Sequence, residues 1–329
     1  GTSAKAGVNE FVSKGGWLGF SDKYWLSAII PDQNANMNAG FRKDGAQYRA
    51  GFVNTAPATN STTRLYVGTK DVDLLDHYQN QGGIVQFSKA IDWGWFGFIA
   101  KPMFWLIHWL YGLVGNFGIA IILTTMIVRL FTFPIFDRQF SSMARMKAVQ
   151  PKMKALQERF KDDKMQLQQE TMKLYRDEKI NPLAGCLPVL LQIPILFSLF
   201  KAFSISLDMR HTTFLWIHDL SARDPMLFGL IPGVEAILPA FLAIGMLPLA
   251  NGVIMWAQMK LNPIPTTDPT QAQMMKFMPW MMMFFFSSVA AGLALYYVVS
   301  GLITILQQRI LYARHPGMRG PVGPIEAIT

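Results

Sequence analysis

Charge is scarce in this chain. Of 329 residues only 16% are Asp, Glu, Lys or Arg, where a typical soluble domain carries about 25%. The apolar residues must therefore be sought as long runs rather than as a diluted interior. There is a single cysteine, Cys186, which excludes a disulfide framework within one chain and leaves the redox compartment unread. Gly1–Gly16 has no apolar core and no small-residue cleavage pattern, so no signal peptide is recognisable. The apolar runs contain no cluster of His, Asp or Glu and no Ser/His pair, which argues against an intramembrane enzyme. His77 has no cysteine or second histidine near it and reads as a surface side chain. No metal and no cofactor is expected.

What is present is hydrophobic, basic and rich in methionine: 51% of residues are apolar, 30 Lys+Arg face 21 Asp+Glu, and there are 20 methionines. A basic balance fits either nucleic acid or the anionic cytoplasmic face of a membrane. The basic residues concentrate beside apolar segments, which favours the membrane.

Residues 1–90 read as a soluble, β-rich region. Tyr24–Ile30, Gln47–Asn54 and Thr63–Gly68 have strand composition and are separated by Asn, Gly, Pro and Thr clusters such as Pro57–Thr63. About ninety residues are few for a complete sandwich, so this is expected to be the end of a larger β domain. Between 91 and 115 the texture changes: Trp93, Trp95, Phe96, Phe98, Phe104, Trp105, Trp109 and Tyr111 crowd around Lys101 and His108. Aromatics with a few cations mark a helix in the plane of the membrane interface, and an aromatic core helix is the competing reading. Pro102 is expected in a first turn or a bend.

Residues 116–314 form the membrane core of the reading. Phe117–Phe136 is about 20 residues, enough to cross roughly 30 Å of hydrocarbon. Leu187–Leu207 is a second span, and Pro225–Met259, broken by Pro232, Pro239 and Pro248, a third. Phe277–Tyr312 is too long for one span, and Ser287–Gly292 supplies a turn, so it divides into two. The expectation is five spans. Loop 137–181 holds eleven Lys and Arg, whereas 206–226 holds only Arg210 and Arg223. The positive-inside rule places 138–180 and the C-terminus in the cytoplasm, and the β-rich region and the Trp216 loop outside. Because residues before Asn116 then lie outside, an export segment, cleaved or beyond the given sequence, is expected. Within 138–180, Met146, Val149, Met153, Leu156 and Phe160 recur at spacings of three and four. Met165, Met172 and Tyr175 do so more sparsely, and Asp162-Asp163 separates the arms. That pattern predicts an antiparallel helical hairpin. The tail 315–329 is expected to be flexible, with few positive charges.

Arg129 is the most informative residue. Counted back from Phe136 it lies on the order of 10 Å inside the span, where a guanidinium costs at least about 2.5–3.5 kcal/mol. Two readings stay open: the side chain snorkels to the inner interface, or it faces a water-filled cavity open to the cytoplasm. Thr125 is one turn away on the same face, Gln192 lies in the next span, and Tyr296, Tyr297, Ser300 and Thr304 place hydroxyls in the last. Gathered together they would line a hydrophilic groove in the inner half of the bilayer, although each alone commonly bonds a helix backbone. Lys201 and Glu235 fall near outer ends, so no line of ionisable groups crosses the membrane as a proton or ion path would need. Met275, Met278 and Met282, with Met281 and Met283, form a cluster able to pack against varied apolar partners. A channel or secondary transporter is the alternative reading, though no internal repeat is visible.

The chain resembles the YidC/Oxa/Alb membrane protein insertases, most closely the bacterial type with a large periplasmic domain. The resemblance rests on Val128-Arg-Leu130, Met146-Lys-Ala-Val-Gln-Pro-Lys152, Asn181-Pro-Leu-Ala-Gly-Cys-Leu-Pro188, Gln192-Ile-Pro194, Phe214–Ser221, Asp224-Pro225 and Gly292–Ser300. These segments occur in family order from about Trp93 to Arg314. The resemblance implies an α-helical integral membrane protein with a five-span insertase core and a cytoplasmic hairpin, preceded by the end of a periplasmic β-sandwich. It implies that Arg129 is the groove arginine and that the hairpin (Met146, Met153, Leu156, Phe160, Met165 and Met172) recruits clients. The partners it implies are nascent membrane proteins, the Sec translocon (SecYEG and accessory SecDF), the ribosome, the signal recognition particle receptor and membrane lipids. The expected place is the cell inner membrane, and the expected role insertase and chaperone rather than enzyme. Pro225–Met259 is longer than the family leads one to expect.

Overall fold

The computed structural model describes residues 8–54, 62–160, 163–178, 187–225, 244–261 and 269–314. Asp162 of the expected turn, residues 181–186 of the quoted motif, the proline-broken stretch 226–243 and the tail 315–329 lie outside these. The chain divides into two compact units, Gly1–Trp95 with Ser204–Leu207, and the rest.

The first unit is built from two three-stranded antiparallel sheets. In one, β1 (Val8–Lys14) and β5 (Gln47–Asn54) flank β4 (Asn36–Asp44); in the other, β2 (Leu18–Ser21) and β6 (Arg64–Thr69) flank β3 (Trp25–Ile30). Strand β3 alternates, with Leu26, Ala28 and Ile30 buried, Trp25 and Ser27 exposed and Ile29 half-buried, the signature of a sheet with one covered face. Leu18, Met37 and Ala39 form a core with Phe41, Ala50 and Phe52. Three strands were readable from composition; β1, β2 and β4 are too rich in Asn, Gly, Ser and Lys to stand out. The helix α1 (Val72–Asn80) was also missed, although its cap is legible: Asp71 accepts from the Leu74 N–H, as an N-cap aspartate does. Gln33 ties loops together by donating to the carbonyls of Gly16 and Pro31 and accepting from the N–H groups of Gly16 and Val85.

The second unit is helical: α2 (Gly97–Val114), α3 (Phe117–Arg159), α4 (Lys164–Asp177), α5 (Leu187–Ile205), α6 (Met246–Leu261), α7 (Pro269–Ser287) and α8 (Ala291–Arg314). Helix α2 buries Ala100, Met103, Phe104, Ile107 and Leu110 and leaves Phe98, Trp105, Trp109 and Leu113 exposed. It is therefore two-faced, with one side in the core and an aromatic side outward. Pro102 lies inside the helix, beyond its first turn. Gly115, at φ 68, ends α2, and Asn116 caps α3 by accepting from the Ile119 N–H.

Helix α3 runs unbroken for 43 residues through Pro134 and Pro151. The expected end at Phe136 and a fresh start near Gln139 are thus corrected: the apolar run passes directly into the polar arm. The arm folds back through α4, whose start is capped by Asp163. Val149 packs against Leu174 and Tyr175, and Lys152 pairs with Glu178 at 2.5 Å. The long Phe277–Tyr312 run divides into α7 and α8 as expected. Between them the Ser287 and Ser288 hydroxyls donate to the carbonyls of Phe284 and Phe285. Among the described residues, two stretches are long and apolar enough to cross a bilayer, Phe117–Arg138 and Ala291–Leu311, with a shorter apolar stretch at Leu190–Ile205.

Candidate functional site

Helices α3 and α8 build the centre of the site, and α5 borders it. Helices α3 and α8 run side by side in the same direction: Ile121 meets Gly292, and Arg129 meets Ser300. At 1.5 Å per residue, Arg129 lies roughly 18 Å beyond Phe117 and Ser300 roughly 13 Å beyond Ala291, so the pair falls near mid-membrane for a hydrocarbon slab about 30 Å thick.

Arg129 is 8% exposed. Its Nε donates to Ser300 Oγ at 2.8 Å, and a terminal guanidinium nitrogen donates to the same oxygen. The Phe136 ring, two turns further along α3, stands 5.0 Å from the guanidinium carbon, within cation–π range. Tyr296 and Tyr297 lie close enough to interact electrostatically with the arginine, and Tyr296 also reaches Ser300. Gln307 approaches the Arg129 carbonyl at 3.5 Å. The guanidinium is therefore turned back into the helix bundle and held by the Ser300 oxygen and the Phe136 ring. An extended snorkelling conformation is not the one adopted. A charge buried among neutral groups is costly unless hydrogen-bonded, and among the described residues Ser300 Oγ receives two of the guanidinium N–H groups.

The remaining groove candidates divide. Thr125 is fully buried and its hydroxyl donates to the Ile121 carbonyl; Thr304 donates to the Ser300 carbonyl. Both hydroxyls are thus engaged by their own helices. Gln192 on α5 is a polar neighbour of the Tyr297 hydroxyl, which is buried and closes no hydrogen bond of good geometry among the described residues. The structure accordingly brings Arg129, Ser300, Tyr296, Tyr297 and Gln192 together. Of the methionines, Met275 and Met278 are half-exposed on α7, while Met282 packs on the main core. In the arm formed by the end of α3 and α4, Met153 is buried and lies 3.6 Å from the Thr171 hydroxyl, Leu156 and Phe160 are half-buried, and Met165 and Met172 are exposed. The Met146 side chain lies outside the described ones.

Sequence reasoning missed three participants. Phe136 was visible in principle, being seven residues from Arg129 and hence on its face. Gln307 was not, because its contact crosses between helices. The third is Asp224, quoted in the Asp224-Pro225 motif but given no role there; it is 8% exposed and accepts from Trp216 Nε1 at 3.0 Å and from the Leu247 N–H at 2.7 Å. A Cβ on Gly245 would collide with this carboxylate. Burial raises the Asp224 pKa above the ordinary value, and the two hydrogen bonds partly offset that. Loop 208–225 also supplies acceptors to the start of α8: the Ala291 and Gly292 N–H groups donate to the carbonyls of Ala222 and Leu220 at 2.7 and 2.9 Å. The loop thus satisfies helix-end donors that would otherwise be orphaned, and closes the bundle at the end where α3 and α8 begin.

Comparison with known proteins agrees with this architecture. A family described as 60Kd inner membrane protein matches residues 109–318, and a YidC periplasmic domain family matches residues 3–106. The membrane protein insertase YidC of Sinorhizobium medicae is 46% identical over 92% of this chain and 52% of its own length. That of Acidiphilium cryptum is 47% identical over 89% of this chain and 52% of its own. The chain therefore spans about half the length of the curated relatives it matches. A crystal structure of an active YidC insertase with its first transmembrane domain resolved superposes with a TM-score of 0.53 at 20% identity, covering 92% of this chain and 79% of that one; this likeness concerns the fold. By the extent of the family match and the identity to its curated members, the chain belongs to the YidC family of inner membrane proteins.

Proposed function

We propose that this chain is the membrane-embedded part of an insertase and chaperone that moves hydrophobic segments of newly made proteins into the inner membrane. The observation that carries the reading is Arg129, a charged side chain turned inward near mid-membrane whose partners among the described residues are uncharged. Such a group is expensive in hydrocarbon and is explained by use. In the proposed cycle the polar tail of a client enters a hydrophilic groove beside α3, α5 and α8 from the cytoplasm. Acidic residues of the tail are drawn to Arg129, which shortens the apolar distance left to cross. The client's apolar segment then slides into lipid past Met275, Met278 and Met282. Burial of about 20 apolar residues is favourable by itself, so no nucleotide need be consumed. The β-rich unit and loop 208–225 face the periplasm, and five spans carry the core. The arm formed by the end of α3 and α4 faces the cytoplasm and receives clients through Met165 and Met172. The Sec translocon, the ribosome and the signal recognition particle receptor are the expected partners.

The test uses proteoliposomes and a short, Sec-independent client with an acidic tail. Arg129→Ala should lower insertion, and Arg129→Lys should restore most of it. Equal insertion by all three proteins would refute the role of the charge.

A further inference from the structure

Loop 208–225 contains an anomaly that the groove does not use. Phe214 and Ile217 close a two-residue turn, with the Phe214 N–H donating to the Ile217 carbonyl at 2.8 Å and the Ile217 N–H donating back at 2.9 Å. The first central residue, Leu215, has φ 52. That position in such a turn is ordinarily glycine, because a β-carbon is crowded there. Packing among the described residues does not hold the leucine in place, since it is 74% exposed. The other large aliphatic side chains of the loop behave oppositely: Met209, Ile217 and Leu220 are essentially fully buried. The remaining exposed residues nearby, Arg210, His211, Thr213 and His218, are polar.

The turn is also rigidly aimed. Phe214 lies against Gly118 at the start of α3, and Trp216 is tied to Asp224. The loop's far end is bonded to the first residues of α8. These anchor points are the first residues of the two stretches long enough to cross the bilayer, so Leu215 is presented at the level where hydrocarbon gives way to headgroups. Leu113, Val114 and Ile119, from the neighbouring ends of α2 and α3, are exposed as well.

We propose that Leu215 is a lipid anchor: the turn drives its side chain into the headgroup–acyl boundary of the leaflet at the N-terminal ends of α3 and α8. Contact with lipid, rather than with the chain itself, retains a leucine where glycine would be unstrained. The inference rests on α3 and α8 crossing the membrane, not on client transfer, so an insertion assay and the following measurement fail separately.

The test is a spin label at position 215, introduced as Leu215→Cys in the full protein with Cys186→Ser, in proteoliposomes containing no other protein. The label should relax strongly with oxygen and weakly with a water-soluble nickel complex. A label at His218→Cys should show the reverse. Nickel accessibility at 215, whether or not a partner protein later removes it, overturns the proposal. So does a lipid-like response at 218, because the loop as a whole would then lie in lipid and the turn would have no special part.

Discussion

Replacing Ser300 with alanine removes the oxygen that receives both Nε and a terminal nitrogen of Arg129 and puts nothing polar in its place. A hydrogen bond to a charged group is worth about 1.5–3 kcal/mol, and a buried charge stripped of its partner falls at the upper end. Ser300→Ala should therefore destabilise the protein by roughly 2–3 kcal/mol. Arg129→Met behaves differently. It removes the charge together with its desolvation cost, leaves a flexible apolar chain beside Phe136, and strands only a serine hydroxyl that can turn to its own helix. Its cost should be near about 1 kcal/mol or less. The double-mutant cycle isolates the interaction: in the Arg129→Met background, Ser300→Ala should cost a few tenths of a kcal/mol. Reversible unfolding in mixed micelles gives stability, and proteoliposome insertion of an acidic-tailed client gives activity. The expected result is a divergence, with Ser300→Ala less stable than Arg129→Met but Arg129→Met less active. If Ser300→Ala costs the same with and without the arginine, the serine is not its partner and the mid-membrane site as described is refuted.

The other predictions concern loop 208–225 and helix packing. Asp224→Asn keeps one acceptor for two donors, so either Trp216 Nε1 or the Leu247 N–H is orphaned; a loss of about 1–3 kcal/mol is expected, read as earlier melting. Burial raises the Asp224 pKa, so its penalty is absent below the ordinary carboxylate range and grows as pH rises through that range toward the folded value; Asp224→Asn should flatten this limb of the stability–pH curve. Asp219 has the opposite sign: burial alone would raise its pKa, but hydrogen bonds from Ser221 and the His211 N–H, together with the His211 ring, bring it below the ordinary value. Its contribution is thus present above the ordinary carboxylate value and lost as pH falls through the folded one, and Asp219→Asn should reduce the loss of stability on acidification below the ordinary carboxylate value. At Gly301, a β-carbon would stand 2.6 Å from Ile254 Cγ2, while Gln258 donates to the Gly301 carbonyl at 2.8 Å. Gly301→Val should push α6 from α8 and cost about 1–3 kcal/mol, and Gly301→Ala should be milder in the same melting assay.

Periodicity and composition determined the helical membrane class, the division of the Phe277–Tyr312 run, and the oddity of an arginine inside an apolar run. Each is a local property: hydropathy over about 20 residues, aromatic clustering, small residues at a turn. The resemblance to the insertases was equally legible, because its motifs are contiguous strings. Local patterns did not reveal the continuity of α3 through Pro134 and Pro151, since proline ordinarily reads as a boundary. Nor did they reveal β1, β2 and β4, whose pairing outweighs weak strand propensity.

Only the tertiary structure decided what Arg129 does. A guanidinium on a flexible stem can reach outward or fold back, and the outcome turns on whether an acceptor from a distant part of the chain arrives at its depth. Ser300 does arrive, because α3 and α8 run in the same direction with Ile121 beside Gly292. The same holds for Asp224, whose two donors come from Trp216 in its own loop and from Leu247 at the start of α6. One-dimensional sequence carries hydrophobic period and local chemistry, but a contact between helices depends on register, and register is set by packing of the whole bundle.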